Sequence, residues 1–494
     1  MMRKYKGSAI HWLRRDLRLS DNPALIAACE YESVIPVFIW DSSWQPPLGA
    51  ASKWWLHRSL QALDAQLKKQ GSRLIIQMGD PLTVLSQLAL ETKADAVFFN
   101  RLYDPKTVSY DQQLLHQLEK RIKRVESFDS YLLTDPEKIL KKDGTPYVVY
   151  TAFLNAIMST FRNRRLFPKA KLPKLSKAHP HSVSLEDLKL EPQIPWAGGF
   201  AEKWKPGELP AQKIMQEFVD ERADFYLEKR NIPSETGTST LSPHLHFGEI
   251  SPATIVACLE EKFGDHHPSS GGYQFLKELF WRDFSHYLLF HHPRLESEPL
   301  RQEFSRFPWQ KNDVLEKFWQ KGLTGYPIID AGMRELWHCG WMHNRVRMIA
   351  ASFLVKDLLL PWQQGAKWFW DTLVDANLAN NTQGWQWTAG CGADAAPYFR
   401  IFNPTLQSQK FDPNGSYIKT WCPELASLPN KWIHAPWMAP PEILRNAGVE
   451  LGKNYPYPIV DHKIARTRAL AAYSSLKTVF PRSHPSARDF PGSG

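Results

Sequence analysis

A chain of 494 residues with 61 Lys and Arg against 51 Asp and Glu is too long for one ordinary domain and has room for a sizeable core. Its net charge of +10 favours a polyanionic partner, although a surplus of this size also serves as solvated surface. The five cysteines (Cys29, Cys258, Cys339, Cys391, Cys422) are scattered, with no CxxC pair and no His cluster at ligand spacing, which argues against a disulfide framework and against a metal site.

The start of the chain, MMRKYKGSAIHWLRRDLRL, places charges where a secretory segment needs a continuous apolar run. No later run is long enough to span a membrane, so a soluble cytoplasmic protein is expected. From residue 8 to about 130, short β-branched runs alternate with amphipathic stretches. Strands are expected at Ile10 to Leu13, Val34 to Trp40, Leu74 to Met78, Ala96 to Asn100 and Val125 to Phe128. Helices are expected at Ala51 to Gln70, Pro81 to Glu91 and Thr107 to Lys123. This alternation implies a doubly wound parallel sheet, an α/β domain over residues 1–132. WLRRDLRLSDNPAL stands after the first strand where GxGxxG would signal a nicotinamide dinucleotide, so the domain is Rossmann-like in topology only.

Residues 133–212 read as a long connector, Pro-, Lys- and Ser-rich from about 165 (LFPKAKLPKLSKAHPHS). Beyond it, patterns such as AQKIMQEFVDERADFYLEKR predict an all-α domain over 213–480. The last residues, 481–494, lack the apolar content to order themselves and read as a disordered tail. Ten of the 20 tryptophans fall between Trp281 and Trp387, a density that points to stacking or to a chromophore.

Four motifs in the helical part carry candidate chemistry. In NIPSETGTSTLSPHLHFGEISP, hydroxyls and amides at a helix start suit a pyrophosphate, or form an N-capped Ser/Thr turn. FLKELFWRDFSHYLL sets Glu278, Trp281 and Arg282 three and four residues apart, an acid beside a stacking plane; a surface ion pair beside a core tryptophan has the same spacing. GWMHNRVRM opens a helix with Asn344, Arg345, Arg347 and Met348, which makes either a basic face or a site reaching a phosphate and a buried carboxylate. Asp375 to Pro404 combines an Asn pair, Trp385, Trp387, a glycine turn and an Arg-bearing aromatic run, more specification than packing requires, and reads as a cofactor pocket.

GTSTLSPHLHFGEISP, ELFWRDF, TGYPIIDAGMREL, GWMHNRVRM, SFLVKDLL and GWQWTAGCGADAAPYFRIFNP, in that order, resemble the photolyase/cryptochrome family over nearly the whole chain. RLYDP at Arg101 to Pro105, PHLHFGEISP and AGMRELW are similar to its class III branch, bacterial cyclobutane pyrimidine dimer photolyases near plant cryptochromes. The resemblance implies FAD, active as FADH⁻, held by Tyr226, Thr238, Ser239, Thr240, Leu241, Ser242, Arg282, Arg347, Asp375, Asn377 and Asn381. It implies that Arg347 pairs with Asp375 and that Asn381 faces flavin N5, where similar plant cryptochromes carry an acid. Asn377 departs from the family's Asp-x-Asp pattern, keeping a hydrogen-bonding shape and losing a charge.

By the same resemblance, a flipped dimer is held by Glu278, Trp281, Asn344, Met348 and Trp387, and the two pyrimidines are parted by electron transfer, with Glu278 hydrogen-bonded to the charged lesion. Trp385, Trp362 and Trp309 match the family's electron-conducting tryptophans, and Arg230, Arg345, Arg400 and Lys410 fall where DNA phosphates would be met. The implied antenna is methenyltetrahydrofolate, with a deazaflavin as the alternative. The expected protein is a monomeric photolyase acting on UV-damaged DNA in the bacterial cytoplasm or nucleoid. Its rival is a cryptochrome-type blue-light photoreceptor without repair activity, which Asn381 and the short tail after Tyr473 disfavour.

Overall fold

The computed structural model describes residues 5–43, 47–158, 161, 166–172, 180–264, 270–395 and 397–479. The expected disordered tail lies outside them. The chain falls into two compact units: Met1–Glu296 with Arg334–Arg345 and Ala366–Gln383, and Ser297–Met333 with Val346–Gly365 and Gly384–Gly494.

The first unit opens with five strands, β1 (Tyr5–Leu13), β2 (Tyr31–Trp40), β3 (Ile75–Met78), β4 (Ala96–Asn100) and β5 (Arg124–Phe128), ordered β3-β2-β1-β4-β5. Every pairing is parallel, with Ile10 beside Ile35 on one side and Val97 on the other. Alternation along the pleat explains why the strands read as unbroken apolar runs. Ile10, Trp12, Val37, Val97 and Phe99 face one core with Leu85, Leu88, Leu114 and Leu118. Ala9, Leu13, Val34, Phe38 and Phe98 face the other with Leu25, Trp54, Trp55, Leu60 and Leu63. Burying each large side chain contributes roughly 1.5–3 kcal/mol, so a one-residue register slip would forfeit both cores at once.

Helices cover both faces. The Pro81–Thr92 helix is started by Asp80, whose carboxylate accepts from Thr83 N at 2.9 Å, with Pro81 in the first turn. The helix expected at Thr107 to Lys123 runs instead from Pro105 to Leu118. Arg121 N and Ile122 N both close on Leu118 O at 2.9 Å, turning the chain into β5. A short helix, Pro23–Ala28, escapes periodicity because it has only six residues; Asn22 caps it through Leu25 N at 3.1 Å.

The rest of the chain is helical, and among the described residues no strand follows β5. The Gly271–His291 helix is capped by Ser270 through Tyr273 N at 3.0 Å. It begins so close to a neighbouring backbone that a Cβ on Gly271 would sit 1.8 Å from Ala223 O. Phe275, Leu276, Leu279, Phe280 and Phe284 bury one side of it and leave Glu278 and Trp281 only half-buried. Among the described residues no helix is long and apolar enough to cross a membrane.

Candidate functional site

Thr238 to Ser242, expected at the flavin phosphates with Tyr226 and Arg282, form one loop of the first unit. Thr240, a β-branched residue, is held at φ 57°, in the left-handed region that such residues avoid, at a cost of about 1–3 kcal/mol. Local bonds sustain this turn: Thr240 Oγ1 donates to Ser239 O at 2.6 Å, and Leu241 N donates to Ser239 Oγ at 3.3 Å. Arg222 fixes the loop from outside, donating to Thr238 O at 3.2 Å. The Ser242–His246 helix that follows has five residues, so the hydroxyls and the turned backbone matter here more than a helix dipole.

Ser242 Oγ donates to Asp375 Oδ2 at 2.6 Å, joining the loop to the segment that carries Asn377 and Asn381. Asn381 Nδ2 donates to Ala366 O at 2.9 Å, which leaves its oxygen as the group able to face a ligand hydrogen. Asn377 accepts from Asn380 N at 3.0 Å and donates to Tyr131 Oη at 3.1 Å. Tyr131 in turn donates to His246 O at 3.2 Å and lies under Arg282, whose guanidinium carbon is 4.3 Å from the ring centroid. Tyr131 is the hub that sequence reading missed, since no local pattern marks it.

Arg282 donates through Nη1 to Tyr131 O at 2.8 Å, while its buried Nη2 has no hydrogen-bond partner among the described residues. A buried guanidinium with a donor in hand, a strained hydroxyl-rich loop and the buried Tyr226 fit the phosphates of a dinucleotide. The next residue, Asp283, is fully buried. Burial pushes its carboxyl up to about 6 against the opposing pull of Arg282 and of Leu133 N and Thr134 N, which donate to it at 2.8 Å.

On the same Gly271–His291 helix, Glu278 pairs with Arg230 and accepts from Gln274 Nε2 at 2.8 Å. Arg345 lies close to this pair and donates to Asn231 Oδ1 at 2.7 Å. Burial first, and the Arg230 charge second, lower the guanidinium pKa of Arg345. Asn344, at the start of the Asn344–Ser352 helix, is exposed. The first unit thus holds Glu278, Trp281, Asn344, Arg230 and Arg345: an acid, an aromatic plane, an amide and two cations.

Arg347, Met348, Trp387, Arg400 and Lys410 belong to the second unit, with Arg400 and Lys410 exposed there. So do the three tryptophans of the expected relay: Trp385 and Trp362 are each 2% exposed, and Trp309 is half-buried. Trp385 packs edge-on against Trp319 at 6.1 Å and over Gly365, where a Cβ would lie 2.0 Å from the indole. Trp309 packs on Phe307 at 4.3 Å.

A cavity of about 1010 Å3 opens in the first unit beyond the carboxyl ends of the strands, where the strand order reverses. Arg14 and Arg15 after β1, Asp41 after β2 and Asp104 after β4 line it, with Tyr110 and Trp370. Arg14 pairs with Asp111 at 2.8 Å and Arg15 with Asp104 at 2.7 Å, so the charged wall is internally neutralised. The signal that could have located it is the reversal of strand order alone.

The sequence profile described as DNA photolyase matches residues 9–175, and that of the FAD binding domain of DNA photolyase matches residues 275–475. A deoxyribodipyrimidine photo-lyase of Agrobacterium fabrum is 48% identical over 95% of this chain and 98% of its own. The chain belongs to the photolyase/cryptochrome family. Cryptochrome-2 of Arabidopsis thaliana, another relative, is 39% identical over 96% of this chain and 80% of its own. The crystal structure of a bacterial class III photolyase from Agrobacterium tumefaciens superposes with a TM-score of 0.92 at 46% identity, covering 96% of this chain and 98% of the other. The photolyase fold, a five-stranded parallel sheet domain followed by a helical FAD-binding domain, is therefore that of this chain.

Proposed function

We propose that this chain is a light-driven DNA-repair lyase that splits cyclobutane pyrimidine dimers turned out of the duplex. The observation that carries the reading is the presence on one helix of Glu278 and Trp281, with Arg230 paired to the acid. A relative of like length is named a deoxyribodipyrimidine photo-lyase. FAD, when bound, supplies the light-excited electron that opens the dimer.

The chain's own residues do the rest. Tyr226, Thr238, Ser239, Thr240, Leu241, Ser242 and Arg282 hold the phosphates, and Asp375, Asn377 and Asn381 hold the ring end. Trp281 walls the lesion, and a dimer is already poorly stacked, so turning it out costs less than flipping an intact base. Arg230 has two partners to choose between. In the free protein it pairs with Glu278; a DNA phosphate competes for it, and its transfer to the phosphate releases the Glu278 side chain toward the lesion. The acid is then able to donate a hydrogen bond to the lesion carbonyl where negative charge develops, with Asn344 on the neighbouring base edge. Trp309, Trp362 and Trp385, graded from half-buried to buried, suit stepwise electron delivery from the surface.

Arg345, Arg400 and Lys410 meet phosphates without reading sequence. The cavity beyond the strand ends is the antenna site in this reading. Trp40, Tyr110 and Trp370 offer flat walls for a planar chromophore, and methenyltetrahydrofolate is the proposed occupant, with a deazaflavin as the alternative. The functional division is an antenna domain at 1–132, a connector at 133–212 and the catalytic domain at 213–480, in a monomer of the bacterial cytoplasm or nucleoid.

The test is illumination of the reduced protein with dimer-containing DNA, in which dimers should disappear. Undiminished dimers would turn the reading toward a photoreceptor of the cryptochrome kind, a reading that the identity to Cryptochrome-2 keeps in play.

A further inference from the structure

A second aromatic residue stands behind Trp281 that no motif announces. Tyr150, first residue of the Tyr150–Met158 helix in the connector, lies flat on Trp281, with ring centroids 3.6 Å apart and planes 11° from parallel. Its hydroxyl donates to Lys277 O at 2.6 Å, one turn before Trp281 on the Gly271–His291 helix. Ring and hydroxyl are thus both tied to the helix that bears the indole. Phe284 meets Trp281 edge-on at 5.8 Å and Tyr150 at 5.7 Å, closing the group from the core side. Tyr150 is buried, while Trp281 keeps part of its surface open. An indole has two faces, and Tyr150 occupies one, so a base can stack only on the other.

We infer that Tyr150 is a positioning residue for lesion recognition: it holds the plane of Trp281 so that the opposite face meets the flipped dimer without first giving up rotamer freedom. The connector is then part of the substrate site. The inference rests on Trp281 being a wall of the lesion pocket.

The experiment measures affinity for a dimer-containing duplex and for the same duplex undamaged, together with repair at saturating DNA and flavin content. It compares wild type, Tyr150→Leu, Tyr150→Phe, Trp281→Leu and the Tyr150→Leu/Trp281→Leu double variant. Tyr150→Leu should weaken dimer binding about fivefold, the scale of one aromatic pair, and leave undamaged-DNA affinity, flavin content and saturated repair unchanged. Tyr150→Phe should bind as wild type, and the double variant no worse than Trp281→Leu alone. Additive losses in the double variant, equal losses on damaged and undamaged DNA, or full dimer affinity in Tyr150→Leu beside a weakened Trp281→Leu would each overturn the inference. Full dimer affinity in Trp281→Leu would overturn the lesion-pocket reading itself, and this inference with it.

Discussion

Asn377 donates its side-chain amide to the phenol oxygen of Tyr131 at 3.1 Å. The position where the family commonly carries an aspartate is therefore matched to its neighbour: Tyr131 has already given its own hydrogen to His246 O and has only lone pairs left to offer. An amide suits it and a carboxylate does not.

Asn377→Asp should accordingly lower stability by about 1–3 kcal/mol, the cost of one buried acceptor left unmatched. The cap on Asn380 N survives, since a carboxylate oxygen still accepts it. Thermal melting checks this, and the deficit should shrink as pH falls into the carboxyl range, where a protonated acid regains a donor. A variant that melts like wild type at neutral pH refutes the account.

The Arg230–Glu278 pair makes a prediction for salt dependence. If Arg230 exchanges Glu278 for one phosphate on binding, Arg230→Gln should reduce the slope of log affinity against log salt by about 0.9. Glu278→Ala should leave that slope alone and slow repair, with flavin absorption intact. An unchanged slope in Arg230→Gln would remove the exchange.

Gly365 lies within the Trp362–Thr372 helix, where alanine normally adds about 1 kcal/mol of stability over glycine. Here a Cβ would meet Trp385 at 2.0 Å and Leu354 at 2.6 Å, so the sign should invert. Gly365→Ala should destabilise by about 1–3 kcal/mol in thermal unfolding and, by displacing the indole, slow photoreduction of the flavin. Equal or higher stability would show that the indole is free to move aside.

Asp283 sets a pH dependence of opposite sign to the usual carboxylate. With its carboxyl raised to about 6 in the folded chain against an ordinary 3.8, its contribution is fully present below the ordinary value and is lost as pH rises through 6. Wild type should lose up to about 3 kcal/mol between pH 4 and 7 that Asp283→Asn does not. The melting midpoint of the Asn variant, relative to wild type, should rise over that window. A constant difference would mean that the group stays ionised throughout.

These residues also show what a linear reading can reach. The strands were legible because both sheet faces are buried, which makes Val34 to Trp40 and Ala96 to Asn100 unbroken apolar runs. Glu278, Trp281 and Arg282 were legible because helical spacing alone places them together. Tyr131 and Tyr150 were not, because each earns its place through a partner far along the chain, in Asn377 and Trp281. The cavity was hidden for a related reason, being made by strand order rather than by any segment. The turn at Leu118 was missed because EKRIK continues a helical composition beyond the point where the backbone leaves the helix.

The two compact units are interleaved along the chain, the first reclaiming Arg334–Arg345 and Ala366–Gln383 after the second has begun. On a ribosome, the amino-terminal unit therefore cannot be completed until Gln383 has emerged, although its sheet is finished at Phe128. Asp375, Asn377 and Asn381 arrive in that late stretch. On the proposed reading these residues hold the flavin, so its loading awaits synthesis of most of the polypeptide.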